Sequence, residues 1–489
     1  MATNLPPLPS PRSRRLLGAH RERQKITLTL ETVTPILGGG TAPRTVDDKV
    51  DVVRVPSIRG QLRFWWRALY GHGFADHAEV AKREAEIWGG IARAGGDEGK
   101  RSAVDVTVTV ERRSEKDTED ISFKAPAAYA LWPARKGKQD SEPAPRWKPG
   151  LRFRLTVNVE PAHEEEVRRA IRAWILFGGY GGRTRRGCGS LTVVSDDKHT
   201  WLPKEPTRKE LGRLLGSDAF AAVEARAAMP DLPRLRGATL CIGSAVSNGQ
   251  GRNDRTRHGQ NHNDCARNGQ PPKGEAAWLD ALRWLKDFRQ GAPERKSDDT
   301  VGAFAREGPP EPSPRPGRSN WPEADKVRRL APLPRGATQW AHDPVDHNST
   351  PVWPRASFGL PIVGQFQRNG RDNRRYRREE PPDFTLQWRE KKGEVRDRLA
   401  SPLIVKAMAL ADGSFVPIAL WLHRAYPTNG EVVLLFEKGV VAGSAAPFDK
   451  LVADGDYAVF APLNDKPSMR DAFIDWLLDP RGQRRVRKL

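Results

Sequence analysis

QKITLTLETVTPI, from Gln24 to Ile36, alternates apolar and polar residues in β-branched company, which predicts a strand. A Gly/Pro-bounded excursion follows, GGGTAPRTVDDKVDVVRVP, and then the period changes. In PSIRGQLRFWWRALYG the residues Leu62, Trp65, Trp66 and Leu69 fall at i, i+3, i+4 and i+7, one apolar stripe of a helix, with Ser57 as its N-cap. Alternation returns at Val104–Val110 and Leu151–Val159, two further predicted strands. A second helix is predicted from about His163 to Phe177, with Val167, Ile171 and Trp174 on one face. Glu164, Glu165 and Glu166 sit in its first turn, where the helix dipole favours anions. Gly178 and Gly179 stop it, and GSLTVV supplies a last strand.

Strand, helix, two strands, helix, strand is the split βαβ order of ferredoxin-like and RNA-recognition domains, with an extra hairpin accommodated between Val104 and Leu151. The second half is less regular. A strand at Ala238–Ala245 runs into SNGQGRNDRTRHGQNHNDCARNGQ, which is too poor in apolar residues to build a core. Ala276–Phe288 reads as a helix, residues 291–320 as Pro-rich linker or surface loop. Strands follow at Phe358–Gln367, Pro402–Met408, Val416–Leu422 and Glu431–Phe436, and a helix at Met469–Leu478. The organisation predicted is a flexible basic arm over residues 1–23, an α+β domain over 24–200, a connector over 201–235, and a second α+β domain over 236–489. The second domain carries insertions near 246–275 and 290–317.

Charge narrows the partners. Lys plus Arg number 82 against 61 acids, a net charge of +21 over 489 residues, which favours a polyanion. No apolar run approaches the roughly 20 residues needed to span a bilayer, and no amphipathic anchor stands out, so nucleic acid is favoured over a membrane. The N-terminal segment MATNLPPLPSPRSRRLLGAHRERQ is basic and Pro-rich without an apolar core, unlike a signal peptide. Cys188, Cys241 and Cys265 are far apart and odd in number, which fits neither a disulfide framework nor a zinc ribbon, and the cytoplasm is the expected compartment.

Two constellations carry chemistry. GGYGGRTRRGCGS, residues 178–190, holds six glycines (Gly178, Gly179, Gly181, Gly182, Gly187 and Gly189) and three arginines (Arg183, Arg185 and Arg186), with no acid among them. Glycine lets backbone approach a ligand, and arginine offers a planar fork to phosphate oxygens. The string follows a helix and precedes a strand, the reverse of a Rossmann fingerprint, and lacks the Lys-Ser/Thr of a P-loop. A flexible basic turn is its plainer reading. Arg59, Arg63 and Arg67, four apart, form a second constellation, a stripe beside the Trp65/Trp66 face. Held on a rigid helix they would meet a phosphate backbone; alone, they also fit an ordinary solvated face. The tryptophans read as core.

TPILGGG, PSIRGQLRFWWRAL and GGYGGRTRRGCGSL, in that order after an N-terminal strand, resemble the RAMP superfamily of CRISPR systems, and within it the first RAMP subunit of type III-B (Cmr) effector complexes. RSNWPEADKVR at 318–328, SFGLPIVGQF at 357–366 and RLASPLIVKAMA at 398–409 agree with that resemblance. It implies an α+β chain of tandem ferredoxin-like (RRM-like) domains with a glycine-rich loop. It also implies a non-catalytic subunit beside other RAMP subunits near the guide RNA 3′ region, with guide RNA and target RNA as partners and no cofactor. The site residues it implies are Arg59, Arg63, Arg67, Arg183, Arg185 and Arg186. Cys188 departs from the pattern, which has an aromatic there, and the chain is long for the family.

Other basic clusters are RDNRRYRR at 371–378, suited to RNA or to a loop, and the tail RGQRRVRKL. Catalytic residues are not expected. His258, His262, Asp264 and Cys265 lie in the low-complexity stretch without the paired spacing that fixes a metal, and His72 and His77 have no evident partner. Asp47, Asp48 and Asp51 follow the first strand, where some RNA-cutting RAMP subunits carry an acid, though acids beside lysine in a loop are commonly solvated. A metal-dependent endoribonuclease using Asp47 or Asp48, or a basic scaffold contacting mainly protein, are the alternatives to an RNA-binding subunit.

Overall fold

The computed structural model describes residues 23–38, 44–46, 52–90, 99–122, 125–136, 142–223, 229, 231–246, 272–290, 321–333, 349–364, 366, 381–396, 398–436, 439–440, 446, 448, 450–456, 463, 465–480 and 484–489. The fold is mixed α+β with antiparallel sheets.

The first domain is built from β1 (Gln24–Thr32), α1 (Val55–Tyr70), α2 (His77–Trp88), β2 (Val104–Arg112), β3 (Arg152–Val159), α3 (Glu164–Phe177) and β4 (Leu191–Val193). The sheet runs β2-β3-β1-β4, all neighbours antiparallel. Period-2 alternation sends Ile26, Leu28 and Leu30 of β1 and Phe153, Leu155 and Val157 of β3 into the core. α1 starts at Val55, two residues before the expected cap: Arg54 is the N-cap, Ser57 caps nothing, and Pro56 occupies the first turn, where its missing N–H costs no bond. Helix α2 was not legible in the periodicity; Asp76 caps it through the N–H groups of Ala78 and Glu79. Between β2 and β3 the chain adds Lys116–Asp117 and Arg146–Trp147, which join Ile36–Leu37 in a small sheet.

The second domain comprises β5 (Arg234–Ile242), α4 (Lys273–Gln290), β6 (Leu403–Ala409), β7 (Phe415–His423), α5 (Met469–Leu478) and β8 (Arg487–Lys488), with sheet order β6-β7-β5-β8. Its strand order along the chain and in the sheet repeats that of the first domain, without a counterpart of α2. Strands form within the expected Phe358–Gln367 and over the expected Glu431–Phe436, but outside this sheet. Ile362–Gly364 and Gly430–Phe436 join Phe384–Glu390 in a separate sheet with its own core around Trp353, Trp388 and Phe448. The connector holds the helix Arg208–Leu215, whose Leu211, Leu214 and Leu215 are buried.

The domains share one core, because α1 and α3 pack under the first sheet and also over the second, opposite α4. That sandwich explains why α3 is buried without interruption from Ala173 to Phe177, and why every residue of β6 is buried. Trp65 and Trp66 are core, as expected, and the Trp66 indole N–H donates to Glu166 at 2.8 Å.

Candidate nucleic-acid interface

The glycine-rich loop leaves the C-terminus of α3 and runs along the joint between the two sheets. Gly178, Gly179, Gly187 and Gly189 are buried, Gly181 is half-buried, and only Gly182 and Arg183 are exposed at the tip. The buried glycines answer to packing. At Gly189, φ is +64° and a Cβ would sit 1.8 Å from the Tyr180 carbonyl oxygen; at Gly187, φ is +78° and a Cβ would sit 2.4 Å from the Trp278 ring. Tyr180 N–H donates to Gly189 O at 2.9 Å, and Arg54 N–H donates to the Tyr180 hydroxyl at 2.8 Å, which ties the loop to the start of α1. Cys188 is fully buried, and burial pushes its thiol up to about 12, so it presents nothing to a ligand.

The second domain bolts this loop down. The Trp278 indole of α4 donates to Arg186 O at 2.6 Å, and Arg185 donates to Ser401 O while its guanidinium lies 5.4 Å from the Phe64 ring centre. Lys406 of β6 is wholly buried and donates to Ile175 O at 3.0 Å and Gly178 O at 2.7 Å, occupying carbonyls at the end of α3. Burial pulls its ammonium down to about 7. Burial also pulls the half-buried Arg185 and Arg186 guanidiniums down to about 10, with neighbouring arginines adding to the effect, and both stay charged at neutral pH.

The α1 stripe turns inward. Arg59 donates to Trp88 O at 2.6 Å, Val104 O at 3.0 Å and Ser102 Oγ at 3.0 Å. Arg63 and Arg67 both pair with Glu84 of α2, a carboxylate only 4% exposed, with Arg67 at 2.7 and 2.8 Å. A carboxylate that deep requires cations, and the two arginines supply them. The stripe braces α1 against α2 and β2.

A different set of arginines converges at the loop tip. Exposed Arg183 lies within electrostatic reach of Arg289, at the end of α4, and of exposed Arg398, before β6; Arg186 lies within reach of Arg183 and Arg289. Arg289 donates to the Tyr129 hydroxyl at 2.8 Å. The buried nitrogens Arg186 Nη1 and Arg289 Nε have no hydrogen-bond partner, and no carboxylate pairs with Arg183, Arg186, Arg289 or Arg398 among the described residues. Like charges gathered without an acid raise the energy of the site until an anion arrives. The sequence placed Arg183, Arg185 and Arg186 here but missed Arg289, Arg398 and Tyr129. Arg398 opens the string RLASPLIVKAMA, the one signal that could have found it.

The sheets themselves do not offer bases a stacking platform. The second is covered on both faces. Outward residues of the first sheet form rows such as Thr27–Thr156–Thr107 and Thr29–Arg154–Thr109, and in the next row Glu31 neutralises Arg112 and Arg152. RNA-recognition sheets stack bases on aromatic side chains, and these rows contain none.

The match to a known family is confined to the first domain: residues 29–192 match the model of the RAMP superfamily. Those residues are similar to a RAMP-superfamily domain. Over 148 residues the chain is 33% identical to the CRISPR system Cmr subunit Cmr1-1 of Pyrococcus furiosus, covering 29% of this chain and 40% of that protein. The chain thus aligns with about two fifths of that relative's length. The crystal structure of Cmr1 from Pyrococcus furiosus, apo form, superposes with a TM-score of 0.44 at 13% identity, covering 95% of this chain and 98% of that one. A cryo-EM structure of the type III-B Cmr-beta complex bound to cognate target RNA gives 0.40 at 10% identity, covering 82% and 95%. The matched segment contains the glycine loop and the α1 stripe. Arg289, Arg398 and Lys406, which complete and anchor the loop, lie outside it.

Asp47, Asp48 and Asp51, the His258–Cys265 stretch, residues 371–378, most of both insertions and all but Arg23 of the N-terminal arm lie outside the described residues. His72 and His77 stand near Asp218 and Asp231, at 3.4 and 3.1 Å. No described helix is long and apolar enough to cross a membrane.

Proposed function

We propose that this chain is a non-catalytic RNA-binding subunit of a cytoplasmic type III-B CRISPR RNA-guided complex. It sits near the guide RNA 3′ region beside other RAMP subunits, where it aids assembly and target RNA capture. Its two repeated strand orders are a tandem pair of ferredoxin-like (RRM-like) folds. The observation that carries the reading is the set of guanidiniums at the joint, Arg183, Arg186, Arg289 and Arg398, gathered with no carboxylate among the described residues. Such a cluster holds phosphates by charge and forked hydrogen bonds, while guide–target pairing reads the sequence. Arg185 is placed to position the loop. Arg59, Arg63 and Arg67 hold the first domain in shape, and their contribution to RNA is indirect.

RNA cross-linking mass spectrometry on the assembled complex tests this reading. Cross-links are expected in peptides carrying Arg183, Arg289 and Arg398; cross-links that avoid all three would sink it. The nuclease alternative is separated on the purified chain, which is expected to shift RNA without cutting it in the presence of a divalent metal. Cutting that is lost in Asp47→Ala or Asp48→Ala would replace the binding reading with a catalytic one.

A further inference from the structure

The strand β5, between β7 and the edge strand β8, leaves its ladder with β7 part-way along. Thr239 pairs with Trp421, but the next register point is Arg234 with His423, so residues 235–238 stand opposite Leu422 alone. A bulge of that size bends the strand and re-aims side chains, and beside it lies an open cleft of about 450 Å³. Gly237, with φ +76°, permits the closure of one wall. A Cβ there would lie 2.1 Å from Val223 Cγ2 and 3.1 Å from the His423 ring, and its N–H donates to Ala221 O at 2.8 Å.

The lining divides into two kinds of surface. Arg208, Arg470 and Lys488 bring three cationic side chains, against one acidic side chain, Asp471. That carboxylate already accepts from the Ser468 hydroxyl at 2.5 Å and holds Arg470 only at 3.4 Å. Lys488, on exposed β8, has no ion-pair partner among the described residues. Beside these lie Phe220, whose carbonyl oxygen accepts from Arg208 at 3.0 Å, Ile474, one helical turn from Arg470, and the half-buried His423 ring. Burial first, then Arg234 and Arg470, hold His423 below the usual histidine range, so it offers one donor and one acceptor nitrogen rather than another charge. Cations set among apolar side chains and a neutral hydrogen-bonding ring suit a ligand that carries both an anionic group and a flat polar one. The volume of the cleft falls within the roughly 300–1,000 Å³ of small-molecule sites.

We propose that this cleft binds a phosphorylated nucleoside, with Arg470, Lys488 and Arg208 holding the phosphate and His423, Phe220 and Ile474 facing the base and ribose. The site is separate from the arginine cluster. With adjacent strands about 4.8 Å apart, β8 lies about 14 Å across the sheet from β6. The ligand's source is either a free nucleotide or the terminal nucleotide of an RNA strand.

The test is equilibrium titration of the full chain with AMP and with adenosine, followed by titration with a short RNA carrying a 5′-phosphate or a 5′-hydroxyl. AMP is expected to bind at least about tenfold more tightly than adenosine, and Lys488→Glu, an exposed edge-strand change, to erase that preference. Arg470→Gln should act in the same direction. Both variants should leave the affinity for 5′-hydroxyl RNA unchanged. If AMP competes with 5′-phosphorylated RNA, the site takes an RNA end; if it binds the RNA-loaded protein with unaltered affinity, the site takes a free nucleotide. Equal binding of AMP and adenosine, no binding of either, or an AMP affinity untouched by both variants would overturn the proposal.

Discussion

The Lys406 ammonium, from β6 of the second domain, donates to the carbonyl oxygen of Gly178, 2.7 Å away, where the glycine loop of the first domain begins. Its second bond, to Ile175 O at 3.0 Å, makes one side chain both the cap of α3 and the link between domains. Because the site is fully buried, that link depends on pH. Lys406 titrates at about 7 in the folded protein, below its unfolded value of 10.5. Between those values the unfolded chain binds one more proton than the folded chain, so this group makes stability rise with pH from about 7 towards 10.5, and adds no slope below 7. Denaturant midpoints at pH 7 and pH 9.5 should therefore differ more in the natural protein than in Lys406→Met. An equal difference in the two proteins would show that the buried amine does not titrate in this window.

Arg63 and Arg67 share Glu84, which predicts non-additive mutations. Arg67→Ala alone leaves Arg63 on the carboxylate and should cost about 1–3 kcal/mol. The double change Arg63→Ala/Arg67→Ala strands a buried charge and should cost more than the sum of the single changes, with Glu84→Gln recovering part of the loss. Urea unfolding of the four variants measures this; strict additivity would mean that Glu84 finds another partner.

Trp66→Ala removes a fully buried indole and its bond to Glu166, and should lower stability by roughly 3–5 kcal/mol. Gly187→Ala acts at the joint by crowding Trp278 at a left-handed backbone position, and should cost at least about 1–3 kcal/mol in strain. Calorimetry checks both. Normal unfolding of Trp66→Ala together with abolished RNA binding would make the tryptophan a ligand-facing residue.

For RNA, the readout is the slope of log K against log salt. On a single strand, every phosphate that the protein no longer neutralises flattens this slope by about 0.7, so Arg183→Ala/Arg398→Ala should flatten it by about 1.4. Arg59→Ala, whose guanidinium is spent on Trp88, Val104 and Ser102, should leave the slope unaltered in the protein that remains folded. The reverse pattern would return the RNA surface to α1.

Local periodicity was enough to read much of the framework. The stripe Leu62, Trp65, Trp66 and Leu69, the strands over 104–112 and 152–159, and the helix Met469–Leu478 emerge from spacing that any single segment contains. The glycine-rich string was likewise visible as a place of unusual backbone. Its partners were not. Glu84 lies 17 residues beyond Arg67, and Lys406 lies 228 residues beyond Gly178, so nothing in either neighbourhood announces the other. An arginine reads the same in a sequence whether it faces water or neutralises a buried carboxylate. The choice is made when desolvation penalises every unpaired charge and packing brings distant partners within bonding distance, which turned Arg59, Arg63 and Arg67 inward and left Arg183 and Arg398 exposed without a carboxylate partner among the described residues.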